Sequence, residues 1–326
     1  LARALEASPT DLCRLDFDLA ELWAVEVLRM LEQHGTRPAD VDVLGSHGQT
    51  VAHVPKSPDR PKSPDSAATL QIGQADVLAE RTGILTVSDF RTRDIAAGGE
   101  GAPLVPLADW ILYAEPGATT ACHNLGSIAN VTVIPERQEH VWAFDTGPAN
   151  ALLDCFAEGI DRDGRVSATG SVNKQLLRAL SEMRAGWLSQ PPPKSAGYDT
   201  FGPGFAQEVL SAHEAVPRPD LLRTAVQFTA ETIGDAYERL VLPRHPDLSR
   251  VRFSGGGCHN PTLMAAIRSR LEPLEVPMEV MEPEWIDAKE AVAFALLADA
   301  TVRGRTGNLP GATGAQRPVV LGKISL

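Results

Sequence analysis

Apolar positions early in the chain recur at helical spacing: Ala20, Trp23, Ala24, Val27, Leu28 and Leu31 share one face, and Gly35 ends that helix. A short strand is predicted at Val41-Asp42-Val43-Leu44, running into Gly45-Ser46-His47-Gly48-Gln49-Thr50. From Val54 to Ser66 the chain repeats Lys-Ser-Pro-Asp, a tract that cannot bury apolar area and predicts a solvated loop. Order resumes with an extended Thr69–Gly73, a helix through Val77–Glu80 and a strand Leu85–Ser88. That strand ends in Asp89-Phe90-Arg91-Thr92-Arg93-Asp94, and a glycine-rich turn, Ala97 to Pro103, leads into a helix from Leu104 to about Tyr113. Pro116-Gly117 reads as a domain boundary.

The second half restarts with a strand pair, Thr119–Gly126 and Ile128–Ile134, turning at Ser127. Val141, Ala143 and Phe144 make a short strand that delivers Asp145 to a turn; Gly147-Pro148 is expected to break it, and an apolar helix opens at Ala151. Leu222, Val226, Thr229, Ile233, Tyr237 and Leu240 form one face of a long helix. Strand Val251–Ser254 meets Gly255-Gly256-Gly257, Pro261–Leu271 is helical, and a last helix runs from about Asp287 to Val302. Two successive blocks of mixed strand and helix predict an α/β protein of two lobes with a cleft between them. The expected division is an N-terminal lobe over 1–116, a C-terminal lobe over 117–302, and a segment 303–326 returning toward the first.

Composition narrows the class. At 326 residues, two domains are the default. A net charge of -12 argues against nucleic acid or an anionic membrane as partner, since phosphate contacts need a basic face. Cys13, Cys122, Cys155 and Cys258 are widely spaced, which predicts reduced thiols and a cytoplasmic protein. The longest uncharged apolar run, Ala291 to Ala298, is too short to span a bilayer.

Several constellations each admit two readings. A carboxylate at a strand end facing a helix start, as at Asp145, suits catalysis or metal binding in an α/β protein, or else caps the helix. The glycines 255–257 between strand and helix let a nucleotide approach the backbone, or merely turn the chain; the spacing is neither a P-loop nor a dinucleotide fingerprint. The hairpin Asn124-Leu125-Gly126-Ser127-Ile128-Ala129-Asn130 either aims N–H groups at an anion or is an ordinary turn. His47 and Gln49 stand where a strand gives way to a loop, as ligand contacts or structural hydrogen-bonders. Arg91 and Arg93 beside Asp89 and Asp94 form a surface ion-pair cluster, or supply an Arg to a substrate carboxylate. Asp287-x-x-Glu290 matches a helix-capping pattern that would account for Glu290 by itself.

Taken in order, these segments resemble the anhydro-N-acetylmuramic acid kinase family. The likeness rests on Gly45–Thr50, Gln71-Ile72-Gly73, Ser88–Arg91, Ala97–Pro106, Asn124-Leu125-Gly126, Phe144–Pro148, Pro193-Lys194-Ser195, Gly255–Gly257 with Asn260, and Glu290-Ala291. The resemblance implies the hexokinase/actin-like superfamily, with two ribonuclease-H-like lobes closing over ATP and a sugar. It implies cleavage of the internal bridge of 1,6-anhydro-N-acetylmuramic acid with phosphorylation of O6, in cell-wall recycling. In that scheme Asp145 is the base for water; His47, Gln49, Arg91 and Glu290 contact the sugar or its lactyl carboxylate. Gly126, Ser127, Asn130, Gly255, Gly256, Gly257 and Asn260 face the nucleotide, Mg²⁺ accompanies ATP, no metal ligand is assigned, and a homodimer follows by family analogy.

The family also carries an early phosphate loop, Gly-Thr-Ser-x-Asp-Gly, which is not in this sequence; the chain is therefore expected either to be longer or to lack one wall of the ATP site. Ser127 stands where a second Gly is usual, and Tyr198-Asp199 where Arg-Glu is usual. The alternatives to the kinase are a degenerate sugar-binding homologue and a glycosidase working without ATP.

Overall fold

The computed structural model describes residues 8–54, 67–157, 159 and 161–326; the repeated Lys-Ser-Pro-Asp tract lies outside them. The strands, in chain order, are β1 (Leu44–Gly45), β2 (Gln49–Val54), β3 (Ala68–Ile72), β4 (Thr86–Ser88) and β5 (Thr119–Leu125). They continue with β6 (Ile128–Ile134), β7 (Trp142–Pro148), β8 (Leu248–Ser254), β9 (Met278–Val280) and β10 (Lys323–Ser325). The chain divides into two compact units, residues 1–108 with 289–326, and residues 109–288. These limits fall short of the 116/117 and 302/303 boundaries drawn from the sequence, for packing reasons. Trp110 and Tyr113 pack beside Cys122, Ile134 and Met281 of the second unit. At the other end, Phe294 lies against Phe90 of the first unit, with ring centroids 5.2 Å apart.

In the first unit, β4 pairs in parallel with β1 and antiparallel with β10, while β2 and β3 form a separate antiparallel pair. The expected strand at 41–44 shrinks to two residues, because Pro38–Asp40 takes a 3₁₀ turn first. The Pro9–Gln33 helix packs Ala20 and Ala24 on Leu78 of the Ala75–Thr82 helix, and Gly35 follows it with φ +64°. A helix at Phe90–Ala96, absent from the sequence prediction, starts from Asp89 in a left-handed conformation, φ 52°.

In the second unit the sheet order is β7-β6-β5-β8-β9, with β6 antiparallel to both neighbours and β5, β8 and β9 parallel. Numbered within the sheet this is the 3-2-1-4-5 order of a ribonuclease-H-like lobe. One face (Ala121, Leu125, Val131, Val133, Phe144) buries against the Arg218–Ala236 helix. That helix continues into a π turn at Tyr237–Val241, and the wider turn advances the phase by one residue. Val241 is buried, and Leu240, predicted on this face, packs partly buried against the same core.

Gly147-Pro148 does not break the Asp145 strand. Both residues pair, with Ala129 and Ile128, and β7 tolerates the proline because it is the sheet's edge. A bulge makes this possible: Asn130 opposes Asp145 but Ala129 opposes Gly147, so Thr146 is the extra residue. A Cβ on Gly147 would stand 2.4 Å from Thr232 Oγ1 of the long helix. Gly147→Ala is expected to cost about 1–3 kcal/mol through overpacking; urea unfolding of the variant measures it.

The Pro283–Val302 helix begins four residues before the prediction. Glu290 thus sits in its second turn, not at its start, so helix capping does not account for it. Among the described residues, no disulfide joins the cysteines. Among the described residues no helix is long and apolar enough to cross a membrane.

Candidate active site

The candidate residues fall into one cluster in each unit. In the first unit, His47 follows β1 and Arg91 opens the helix after β4, strands that lie side by side. The Arg91 Nε–H donates to His47 Nε2 at 2.9 Å, and the ring's Nδ1 lies 2.8 Å from the Gly48 carbonyl. This fixes the neutral tautomer with the proton on Nδ1. Burial, helped by the Arg91 charge, lowers the His47 pKa to about 4, so the ring stays an acceptor at neutral pH. Its ring rests on Phe294 at 4.5 Å between centroids.

Arg91 Nη1 donates to the Gly101 carbonyl at 2.7 Å. Its Nη2 has no acceptor among the described residues, and Glu290 and Asp94 act on the guanidinium only at longer range. Of the two sequence readings of the Arg91–Asp94 stretch, a surface ion-pair cluster does not describe this geometry. Asp94 is fully buried, and Asp89 pairs with Lys323 at 2.6 Å.

Asp94 instead gathers the backbone around the cluster. One oxygen accepts the Gly101 N–H at 2.8 Å; the other accepts Asn308 Nδ2 at 2.6 Å and Thr313 Oγ1 at 2.7 Å. Gln49 begins β2, with its amide donating to the Thr50 carbonyl at 3.2 Å; no recorded contact joins it to His47 or Arg91 among the described residues.

In the second unit, register places Asp145 opposite Asn130, Asn130 opposite Asn124, and Asn124 opposite Ser254. Directly opposed residues share a face, so these four form a polar row across β7, β6, β5 and β8. It lies on the face away from the long helix. The row stands near the C-terminal ends of the parallel strands, where open α/β sheets take ligands. Asp145 is pinned at the sheet edge: its N–H donates to the Lys194 carbonyl at 3.0 Å, and its Oδ2 accepts the Ala196 N–H at 2.7 Å. Burial raises the Asp145 pKa to about 7, against the lowering pull of the Ala196 amide and the Lys194 ammonium. A carboxyl titrating near neutrality is suited to take a proton in a reaction.

Two backbone turns border the row. The β5–β6 hairpin turns through Gly126-Ser127, whose carbonyls accept N–H groups from 149–151 at the start of the Asn150–Ala157 helix. At Gly255 (φ +88°) a Cβ would meet Asn124 Oδ1 at 2.6 Å, and at Gly257 it would meet Leu125 Cβ at 2.7 Å. Those two glycines are required by packing. Gly256 between them is exposed and has no heavy atom closer than 3.8 Å to a would-be Cβ. Asn260 is spent differently: it is buried, and its side chain caps the Pro261–Leu271 helix by accepting Leu263 N–H at 3.0 Å.

Sequence reasoning named Asn124, Asp94 and Lys194 within its motifs but gave none of them a place in the site. For Lys194 the available signal was a lysine closing a run of three prolines, Pro191 to Pro193, inside a segment that matches the family.

Comparison with known proteins supplies the rest. The family model described as anhydro-N-acetylmuramic acid kinase matches residues 3–326. The enzyme of that name from Caldanaerobacter subterraneus subsp. tengcongensis is 40% identical over 97% of this chain and 81% of its own length. The one from Clostridioides difficile is 38% identical over 98% of this chain and 84% of its own length. A third, from Bacillus cereus, is 38% identical over 99% and 86%. With a match of that extent, and the family's motif residues lining the two clusters just described, the chain belongs to the anhydro-N-acetylmuramic acid kinase family.

Proposed function

We propose that the protein opens 1,6-anhydro-N-acetylmuramic acid with water and transfers the γ-phosphoryl group of ATP to O6, giving N-acetylmuramic acid 6-phosphate and ADP. The observation that carries this reading, beside family membership, is the Asp145 carboxyl, desolvated at a sheet edge with a pKa near 7. Asp145 takes a proton from water as the water oxygen bonds to C1. The C1–O6 bond breaks, and O6 attacks the γ-phosphorus as the bond to ADP breaks. An inverting glycosidase needs a second carboxyl to protonate its leaving group; here phosphoryl transfer captures the departing oxygen, so one carboxylate suffices.

Arg91 binds the lactyl carboxylate with its unengaged Nη2 side, and His47 holds the guanidinium in plane. The open backbone at Gly256 fits a polyphosphate, which approaches a main chain free of side chains, and the Gly126-Ser127 turn borders it. Among the described residues no group of three or more His, Cys, Asp and Glu is arranged for a metal. Mg²⁺ would accompany ATP, neutralising the charge of its phosphates. A reaction consuming ATP and a cell-wall sugar belongs in the cytoplasm, in recycling. Family membership favours this reading over a degenerate sugar binder or an ATP-free glycosidase.

The test is one incubation with Mg-ATP and the anhydro-sugar in ¹⁸O-water, followed by mass spectrometry. A 6-phosphate carrying one ¹⁸O at C1 is expected. Phosphorylated sugar without label at C1 would exclude hydrolysis coupled to transfer.

A further inference from the structure

β7 is an edge strand, and an edge exposes unpaired backbone groups that natural sheets cover. Here the cover is the loop 193–196, and it closes on Asp145 itself. The Asp145 N–H bonds the Lys194 carbonyl, and the Ala196 N–H bonds the Asp145 carboxylate, so two backbone hydrogen bonds flank one residue. Trp187 anchors the loop from outside: its Nε1–H donates to the Ser195 carbonyl at 3.0 Å.

The Lys194 side chain adds a feature that loop geometry alone does not require. It is only 7% exposed. Its Nζ donates to the Leu188 carbonyl at 3.1 Å and lies 4.4 Å from the centre of the Trp187 ring. Both partners are neutral. A buried ammonium is costly unless a negative charge offsets it, and the carboxylate acting on Lys194 is that of Asp145. Among the described residues, the Ala196 amide bonds the Asp145 carboxyl, the Lys194 ammonium acts on it electrostatically, and Asn130, opposite it in the sheet, is uncharged.

We propose that Lys194 is a positioning residue for the proposed base: the 193–196 loop orients Asp145, and the Lys194 ammonium, held between Trp187 and the Leu188 carbonyl, is its fixed counter-charge. Burial pushes the Asp145 pKa up; the ammonium and the Ala196 N–H hold it near neutrality instead of higher. Lys194 is itself shifted down by burial and pulled back up by Asp145. The pair thus sets the lower pH limit of turnover. This inference rests on Asp145 being the base.

The experiment is the pH profile of kcat/KM for 6-phosphate formation in the wild type, Lys194→Met, Lys194→Arg and Asp145→Asn. A nearby opposite charge shifts a carboxyl by about one unit or more. The acidic limb of Lys194→Met is therefore expected to move up by that amount, with roughly tenfold loss at pH 6 and recovery at alkaline pH. Lys194→Arg keeps the charge and should keep the limb near that of the wild type. A uniform loss across pH in Lys194→Met, or an arginine variant as displaced as the methionine one, overturns the proposal. Infrared titration of the Asp145 carboxyl, with Asp145→Asn subtracted, reads the same midpoint without turnover, so a slow variant still reports. An active Asp145→Asn would remove the base assignment itself; an inactive one beside an unmoved Lys194→Met limb would remove only the role of Lys194.

Discussion

Asp145→Asn is expected to lower kcat for 6-phosphate formation by about 10²–10⁴, the contribution of a positioned general base. The fold should survive, because an asparagine Oδ1 can still accept the Ala196 N–H that now bonds the carboxylate. With the wild-type pKa near 7, activity should fall about tenfold per pH unit well below neutrality and level off above it. His47 does not supply that limb, since its ring gains a proton only near pH 4. Turnover within a few-fold of the wild type in a folded Asp145→Asn would exclude Asp145 as the base.

The second large effect concerns Arg91. A hydrogen bond to a charged group contributes about 1.5–3 kcal/mol, so Arg91→Lys should raise KM for the anhydro-sugar about 10- to 150-fold. The change is not conservative, because an ammonium can neither share the planar fork nor keep both the His47 and Gly101 contacts. A substrate analogue lacking the lactyl group separates the two explanations for a loss. The wild type should discriminate against it by about the same factor, and Arg91→Lys should treat the two sugars nearly alike. Equal discrimination by both proteins would mean that Arg91 does not read the carboxylate.

Much of the second unit was legible in the sequence. The β5–β6 hairpin, the glycines after β8 and the Pro261–Leu271 helix follow local rules, and each formed as the pattern predicted. What escaped depends on distant partners. The bulge at Thr146 lies where Thr232 of the long helix crowds Gly147, a contact that no nearby residue announces. The π turn at Tyr237–Val241 likewise violates a period that the preceding residues keep. In the first unit, the Phe90–Ala96 helix was hidden because Asp89 starts it in a left-handed conformation and not as an extended cap.

The site was legible as a set of residue types, less so as an arrangement. Asp145, His47 and Arg91 stand out as candidates in the sequence, but the clamp on Asp145 comes from a loop some fifty positions further on. Asn260, expected beside the nucleotide, also has a local task that the motif did not announce, capping a helix.

Asp94 has a consequence for how the chain is made. Its partners Asn308 and Thr313 lie 214 and 219 positions later in sequence, so the first unit is assembled from both ends of the chain. The second unit is one continuous stretch and can close as soon as it leaves the ribosome. The first unit must wait for the last segment before its buried carboxylate is satisfied, and such long-range closure is slow. On a translating ribosome the second unit should therefore become protease-resistant first, although it is synthesised later than most of the first.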